Sequence, residues 1–271
     1  MPKLGRLVYL NSAPLYYGID QSPEILKQWE IIPGVPATLN RMLAAGEIDV
    51  SAISAVEYAR HQDEYYMIPD ICLNSDGMVK SVLLISKFPI ETLNGKKVAL
   101  STSSATGQAL VRTLLKQDYY VDVEYLEMAP DLELMMRTAD ACLLIGDDAL
   151  LMRPHDEWIV YDLGLLWKEF CGYPVVFAVA AIRQDFVHQF PEASAMISAA
   201  LKSSLQLGLK HIDVFGDYPE YRGIAQRITM KDYFSHLKYS FEQRQIDGLL
   251  FYYQQAAQLG LCPECKDIRF L

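Results

Sequence analysis

Short apolar runs alternate with helix-patterned segments through the first half of the chain, and this alternation restricts the possible folds more than any other feature. Leu7 to Leu10 reads as a strand, Trp29 to Ile32 as a second, and Pro36 to Ala45 as a helix. Ile48 to Ile53 is a third strand, ending at Ser54, a residue type suited to cap the helix over Ala55 to Glu64 that follows. A further strand runs from Met67 to Leu73. Repeated strand-helix units of this kind predict a mainly parallel sheet with helices on both faces.

Ser81 to Ser86 (S-V-L-L-I-S) is a strand of another kind, apolar through its centre and followed by Pro89 and a turn at Leu93-Asn94-Gly95-Lys96. A second series then begins: strands over Val98 to Leu100, Val123 to Leu126 and Ala141 to Ile145, with helices from about Thr106 to Lys116 and over Leu132 to Arg137. Pro174 to Ile182 is the next long β-type run, and the remainder is helical, over Ala193 to Lys210, Pro219 to Arg227 and Gln243 to Leu259. One sheet would have to hold about nine or ten strands, near the size at which open sheets curl or split. The expected fold is therefore α/β with two lobes of type II periplasmic-binding-protein kind and a ligand cleft between them. Residues 1–85 and 181–271 are assigned to the first lobe, which holds both chain ends, and residues 86–180 to the second. The competing architecture is a single doubly wound sheet with a helical tail.

The 271 residues, 51% of them hydrophobic, are enough for two packed lobes with real cores. A formal net charge of −10 argues against nucleic acid as a partner, since that role needs a basic face to displace counterions. It does not exclude a small anion, which answers to local donors. No apolar run of about eighteen residues is present, and Met1 to Arg6 leads into the first strand without an apolar signal segment. The chain is expected to be cytoplasmic, without a membrane partner; its oligomeric state is not legible. Cys262-Pro263-Glu264-Cys265 is a lone C-x-x-C, and without a second pair or paired histidines it reads as two unpaired surface thiols rather than a metal site.

Ligands of open α/β sheets bind beyond the carboxyl ends of the strands, which selects five segments. Asn11 and Ser12 follow the first strand, and Ser51 and Ser54 lie about the end of the third. Ser81 stands at the crossover. In the second lobe, Ser103, Ser104 and Thr106 lie on a hydroxyl-rich loop entering a helix, and Gly146-Asp147-Asp148 ends a strand. Hydroxyls beside the free N–H groups of a first helical turn suit a carboxylate or phosphate, and the same residues are also ordinary helix caps. Asp147 and Asp148 could do acid-base work or simply complement the helix dipole. His61, His155, His188, His211 and His236 fall outside all five segments, so no histidine-based triad is expected. Neither G-x-G-x-x-G nor G-x-S-x-G occurs, which leaves dinucleotide binding and α/β-hydrolase chemistry without support.

Five motifs occur in one order: Tyr9 to Leu15 (Y-L-N-S-A-P-L), Leu43 to Val50 (L-A-A-G-E-I-D-V), Ile53 to Arg60 (I-S-A-V-E-Y-A-R), Gly77 to Lys87 (G-M-V-K-S-V-L-L-I-S-K) and Ile145 to Leu150 (I-G-D-D-A-L). Together they resemble the chorismate dehydratases of the futalosine route to menaquinone, most specifically over residues 5–180. One departure shows: where that family's return strand usually reads F-A-V-W, this chain has Phe177-Ala178-Val179-Ala180. The sister dihydroxynaphthoate synthase shares the fold, but its S-P-C-P-N-D opening is absent. The resemblance implies removal of water from chorismate to give 3-[(1-carboxyvinyl)oxy]benzoate, with no metal or organic cofactor. It implies catalytic roles for Asn11, on the ring or leaving hydroxyl, and for Ser81, near the reacting carbons. Ser12, Ser54, Ser103, Ser104, Thr106, Gly146 and Asp147 would hold the substrate, whose own enolpyruvyl carboxylate would take the proton. The alternative of another class is a carboxylate-binding protein or effector domain that clamps its ligand without turnover.

Overall fold

Ten strands form two five-stranded sheets in a computed structural model that describes residues 1–153 and 155–271. They are β1 (Lys3–Leu7), β2 (Glu30–Gly34), β3 (Val50–Ser54), β4 (Tyr65–Ser75), β5 (Val82–Ser86), β6 (Lys97–Ser101), β7 (Glu124–Met128), β8 (Ala141–Ile145), β9 (Ile159–Asp162) and β10 (Val175–Arg183). The first sheet has the order β2-β1-β3-β10-β4 and the second β7-β6-β8-β5-β9. Within each, the strands joined by helical crossovers are parallel: β1 with β2 and β3, and β6 with β7 and β8. β10 runs antiparallel to β3 and β4, and β5 antiparallel to β8 and β9, so both sheets are mixed rather than mainly parallel.

The lobe limits differ from the expected 1–85 and 181–271 against 86–180. β5 is buried at all five positions and pairs on both edges within the second sheet, while β10 pairs on both edges within the first. A buried strand needs partners for its backbone groups, and these two find them only after the chain has crossed. The crossings are therefore at residues 76–81 and 172–174. The outward one is fixed by Asp162, whose carboxylate accepts the N–H groups of Val79 and Lys80, at 3.1 and 2.7 Å, as well as those of Gly164 and Leu165 in its own helix. Lys80 holds the left-handed φ of 66° that this bend requires.

The first strand is also displaced, to Lys3–Leu7 rather than Leu7 to Leu10. Leu10–Ser12 coils into a 3-10 turn and Ala13–Asp20 into a helix with proline in its first turn, where a missing N–H costs nothing. The Ser12 hydroxyl closes this turn on the carbonyls of Leu7 and Tyr9, at 3.0 and 2.7 Å.

One apolar cluster runs through both lobes, and a smaller one around Leu83, Met135 and Leu144 covers the far face of the second sheet. The helix Gln243–Gln258 spans the junction. Its Trp167–Tyr252 contact, with ring centroids 5.7 Å apart, packs it on the second lobe. Tyr252 donates to the Thr106 carbonyl at 3.2 Å and Tyr253 to that of Ala55 at 2.7 Å, so neighbouring tyrosines hold a helix start in each lobe. Cys262 and Cys265, expected at the surface, are buried free thiols beneath this helix, where Cys262 donates to the Tyr253 carbonyl. Among the described residues, no helix is long and apolar enough to cross a membrane.

Candidate active site

The carboxyl ends of β1, β3, β6 and β8 converge on a cleft between the lobes with about 530 Å³ of empty space, its open mouth included. The first lobe contributes Leu7, Tyr9, Asn11, Pro36, Ser54, Leu73, Phe177 and Ala178 to its lining, and the second Val82, Ser104, Ile145 and Gly146. Val79 and Ser81 enter from the crossover. Among the described residues no lysine, arginine or histidine lines it, so an anion held here must rely on neutral donors.

Asn11 sits on a loop anchored from the far end of the sequence. Tyr239 donates to the Asn11 carbonyl at 2.7 Å and Tyr221 to that of Val8 at 3.0 Å. Both backbone contacts leave the Asn11 amide unconstrained. Ser81 is held on three sides: its hydroxyl accepts from Tyr233 at 2.8 Å, its carbonyl accepts from the Gly146 N–H at 2.7 Å, and the nearest acceptor for its own proton, the Val79 carbonyl, is 3.5 Å away. Gly146 has a φ of +61°, and a Cβ there would stand 3.0 Å from the Tyr9 ring. A side chain would be strained by the backbone and blocked by the ring, so glycine is what lets Tyr9 lie over this strand end.

Ser54 caps the helix Ala55–Arg60 by position, but its side chain makes no capping bond, while its N–H is taken by Asn40 Oδ1 at 3.1 Å. Its hydroxyl is therefore available to the cleft. Ser104 lines the cleft and also caps its helix, accepting the Gly107 N–H at 2.9 Å.

Four other expected substrate contacts are placed differently. Ser12 spends its hydroxyl on its own turn, as above. Ser103 pairs with the Ser101 hydroxyl at 2.6 Å. Thr106 accepts the N–H of Val56 from the opposite lobe at 3.3 Å. Asp147 accepts the Leu10 N–H, also across the lobes, at 3.0 Å. None of the four lies on the cleft lining. Thr106 and Asp147 lie where the two lobes touch and bond the facing backbone, while Ser12 and Ser103 are satisfied within their own turns; in both cases a buried polar group takes a partner from the protein instead of a ligand. Burial lifts the Asp147 carboxyl to about 6, against the opposing pull of the Leu10 N–H and with a further push from the Asp148 charge.

The tyrosines were not anticipated. Tyr9, Tyr221, Tyr233 and Tyr239 are all buried, and the last three bond the site loops although they lie over 200 residues along the chain. The available signal was compositional: 17 tyrosines in a chain this size must place many hydroxyls inside, where each needs a partner.

The sequence profile described as menaquinone biosynthesis matches residues 2–258. The chain belongs to the menaquinone-biosynthesis family. Within it, a chorismate dehydratase of Thermus thermophilus is 31% identical over 95% of this chain and 95% of its own. A 1,4-dihydroxy-6-naphtoate synthase of the same organism is 24% identical over 74% of this chain and 70% of its own. Among solved structures, a protein of Archaeoglobus fulgidus superposes with a TM-score of 0.77 at 21% identity, covering 96% of this chain and 97% of that one. The periplasmic aliphatic sulphonate binding protein of Escherichia coli gives 0.67 at 11% identity, covering 100% and 93%. These two show that the family member has the two-lobe periplasmic-binding-protein fold. Among its described residues, no three histidine, cysteine or acidic side chains cluster as a metal site would require.

Proposed function

We propose that this chain is a hydro-lyase that converts chorismate to 3-[(1-carboxyvinyl)oxy]benzoate and water, using no metal or organic cofactor, in the cytoplasm. The observation that carries the reading is the pairing of Asn11 and Ser81 in one otherwise largely apolar cleft, at the neck between lobes. Similarity to a chorismate dehydratase along nearly the whole of both chains supports it, as does the weaker and shorter match to the naphtoate synthase.

The chemistry asks little of the protein. The C3 proton leaves to a base and hydroxide leaves from C4, so one water is lost as the ring becomes aromatic. Gain of aromaticity drives the step, and the substrate's enolpyruvyl carboxylate lies close enough to take the proton. Asn11 orients the leaving hydroxyl, Ser81 donates near the reacting carbons, and Ser54, Ser104 and the backbone at Gly146 hold the carboxylates. Holding the reacting groups in line supplies much of the rate, an effect that reaches several kcal/mol.

The sulphonate-binding fold favours one second reading, a receptor that clamps a small carboxylate without turnover. Full-length protein mixed with chorismate separates them. Product absorbance growing beyond one equivalent per chain is expected; saturable binding with no product would establish the receptor.

A further inference from the structure

The short helix Met230–Ser235 grips the crossover with two consecutive residues. Asp232 pairs with Lys80 at 2.6 Å, and Tyr233 donates to the hydroxyl of Ser81 at 2.8 Å. Tyr233 is fully buried and lies outside the cleft lining, so it reaches a ligand only through other side chains. Burial, reinforced by the Asp147 charge, pushes the phenol above its usual range, so it keeps its proton and remains a donor at ordinary pH.

This direction of donation matters. A serine hydroxyl has one proton and two lone pairs. With one lone pair taken by the Tyr233 O–H, the Ser81 proton turns elsewhere, and its one acceptor among the described residues lies 3.5 Å away, at the outer limit for a hydrogen bond. The cleft is the remaining direction.

We propose that Tyr233 is a positioning residue that aims the Ser81 O–H into the cleft without touching the substrate. The proposal rests on the reading of Ser81 as a substrate contact. It gives the C-terminal segment a part in catalysis beyond packing.

The test is a double-mutant cycle on the full chain with chorismate, using Tyr233→Phe, Ser81→Ala and the pair. Tyr233→Phe is expected to lower kcat about 10- to 100-fold, the usual effect of losing a partner that orients a contact residue. KM should stay within about threefold. The double variant should be no slower than Ser81→Ala alone, because the phenol acts through that serine. A parental kcat in Tyr233→Phe, or losses that multiply in the double variant, overturns the proposal. Near-parental turnover in Ser81→Ala instead overturns the reading of Ser81 itself, and with it any role for Tyr233. Should Tyr233→Phe not fold, tetrafluorotyrosine at position 233 keeps the packing and makes the phenol more acidic, so that it ionises at lower pH. A new alkaline fall in kcat is then expected, since a phenolate cannot donate to Ser81; a profile identical to the parent's overturns the proposal.

Discussion

The Leu10 N–H donates to Asp147 Oδ1 at 3.0 Å, and the two residues stand on opposite lobes. Val56 and Thr106 make a second such contact at 3.3 Å, and the Tyr9 ring over Gly146 a third. All three lie beside the strand ends that carry Asn11 and Ser81. The structure is thus a cleft whose floor is closed by direct contacts, two of them hydrogen bonds, and those contacts use residues that sequence reasoning assigns to the ligand. Binding energy at the cleft and lobe closure are then linked, because each favours the same arrangement.

Asn11→Ala tests the site most simply. The Tyr239 bond goes to the Asn11 carbonyl, which alanine retains, so the loop should keep its place and the variant should melt close to the parent. Loss of one oriented polar contact made mainly in the transition state is expected to lower kcat by about one to three powers of ten. Near-parental turnover in a folded variant would remove Asn11 from the mechanism.

Asp147 makes stability depend on pH in an unusual direction for a carboxylate. Its folded value of about 6 exceeds the ordinary 3.8, so between these limits the folded chain binds the proton more tightly than the unfolded one. Its contribution is fully present below pH about 4 and is lost as the pH rises through 6, a change of about 3 kcal/mol at most. In Asp147→Asn the side-chain carbonyl still accepts from Leu10, and no charge is buried. The gain in Tm over the parent should be small at pH 4 and several degrees at pH 7.5. An equal difference at both values would show that burial of this charge is not what matters.

What was legible in the sequence was local. Ala141–Ile145 is found where expected because an unbroken apolar run, bounded by Asp140 and Gly146, has no other way to bury itself. The displaced first strand shows the limit of the same reasoning: Tyr9 and Leu10 look like strand continuation, yet Leu10–Ser12 coils and the Ser12 hydroxyl bonds back to Leu7. The polar strand ends Asn11, Ser54, Ser81, Ser104 and Gly146 do meet, since strand polarity fixes which end carries a site. What could not be read was which of these hydroxyls the protein itself consumes. Thr106 meets Val56 across 50 positions, and Tyr233 meets Ser81 across 152. Neither pairing leaves a periodic trace.

Ser104 combines a capping bond to Gly107 with a place on the cleft, and two substitutions separate the roles. Ser104→Ala should cost about 1 kcal/mol of stability, while Ser104→Gly should cost only a few tenths, because glycine is a tolerable N-cap. If the hydroxyl also holds a substrate carboxylate, KM should rise about tenfold in both, matching the 1.5–3 kcal/mol of roughly one charge-assisted bond. A KM that moves in Ser104→Ala but not in Ser104→Gly would mean that the hydroxyl only caps the helix.

The proposed substrate-assisted mechanism makes a prediction about the base. Among the described residues no histidine lines the cleft, and Asp147, the protein's rival for the role, has one carboxylate oxygen engaged by Leu10 and lies behind the lining. Chorismate whose enolpyruvyl carboxylate is converted to an amide should therefore bind yet scarcely turn over, because the proton acceptor is gone while the ring and leaving hydroxyl remain. Asp147→Asn should be the milder change, since it keeps the lobe contact and leaves the substrate's acceptor intact. A protein carboxylate acting as base would instead show its own ionisation near 6 in the pH dependence of kcat, and its removal would cost about 10²–10⁴-fold. Fast turnover of the amide together with collapse of Asp147→Asn would move the base from the substrate to Asp147, and would require the lobes to part at Leu10 before the proton leaves.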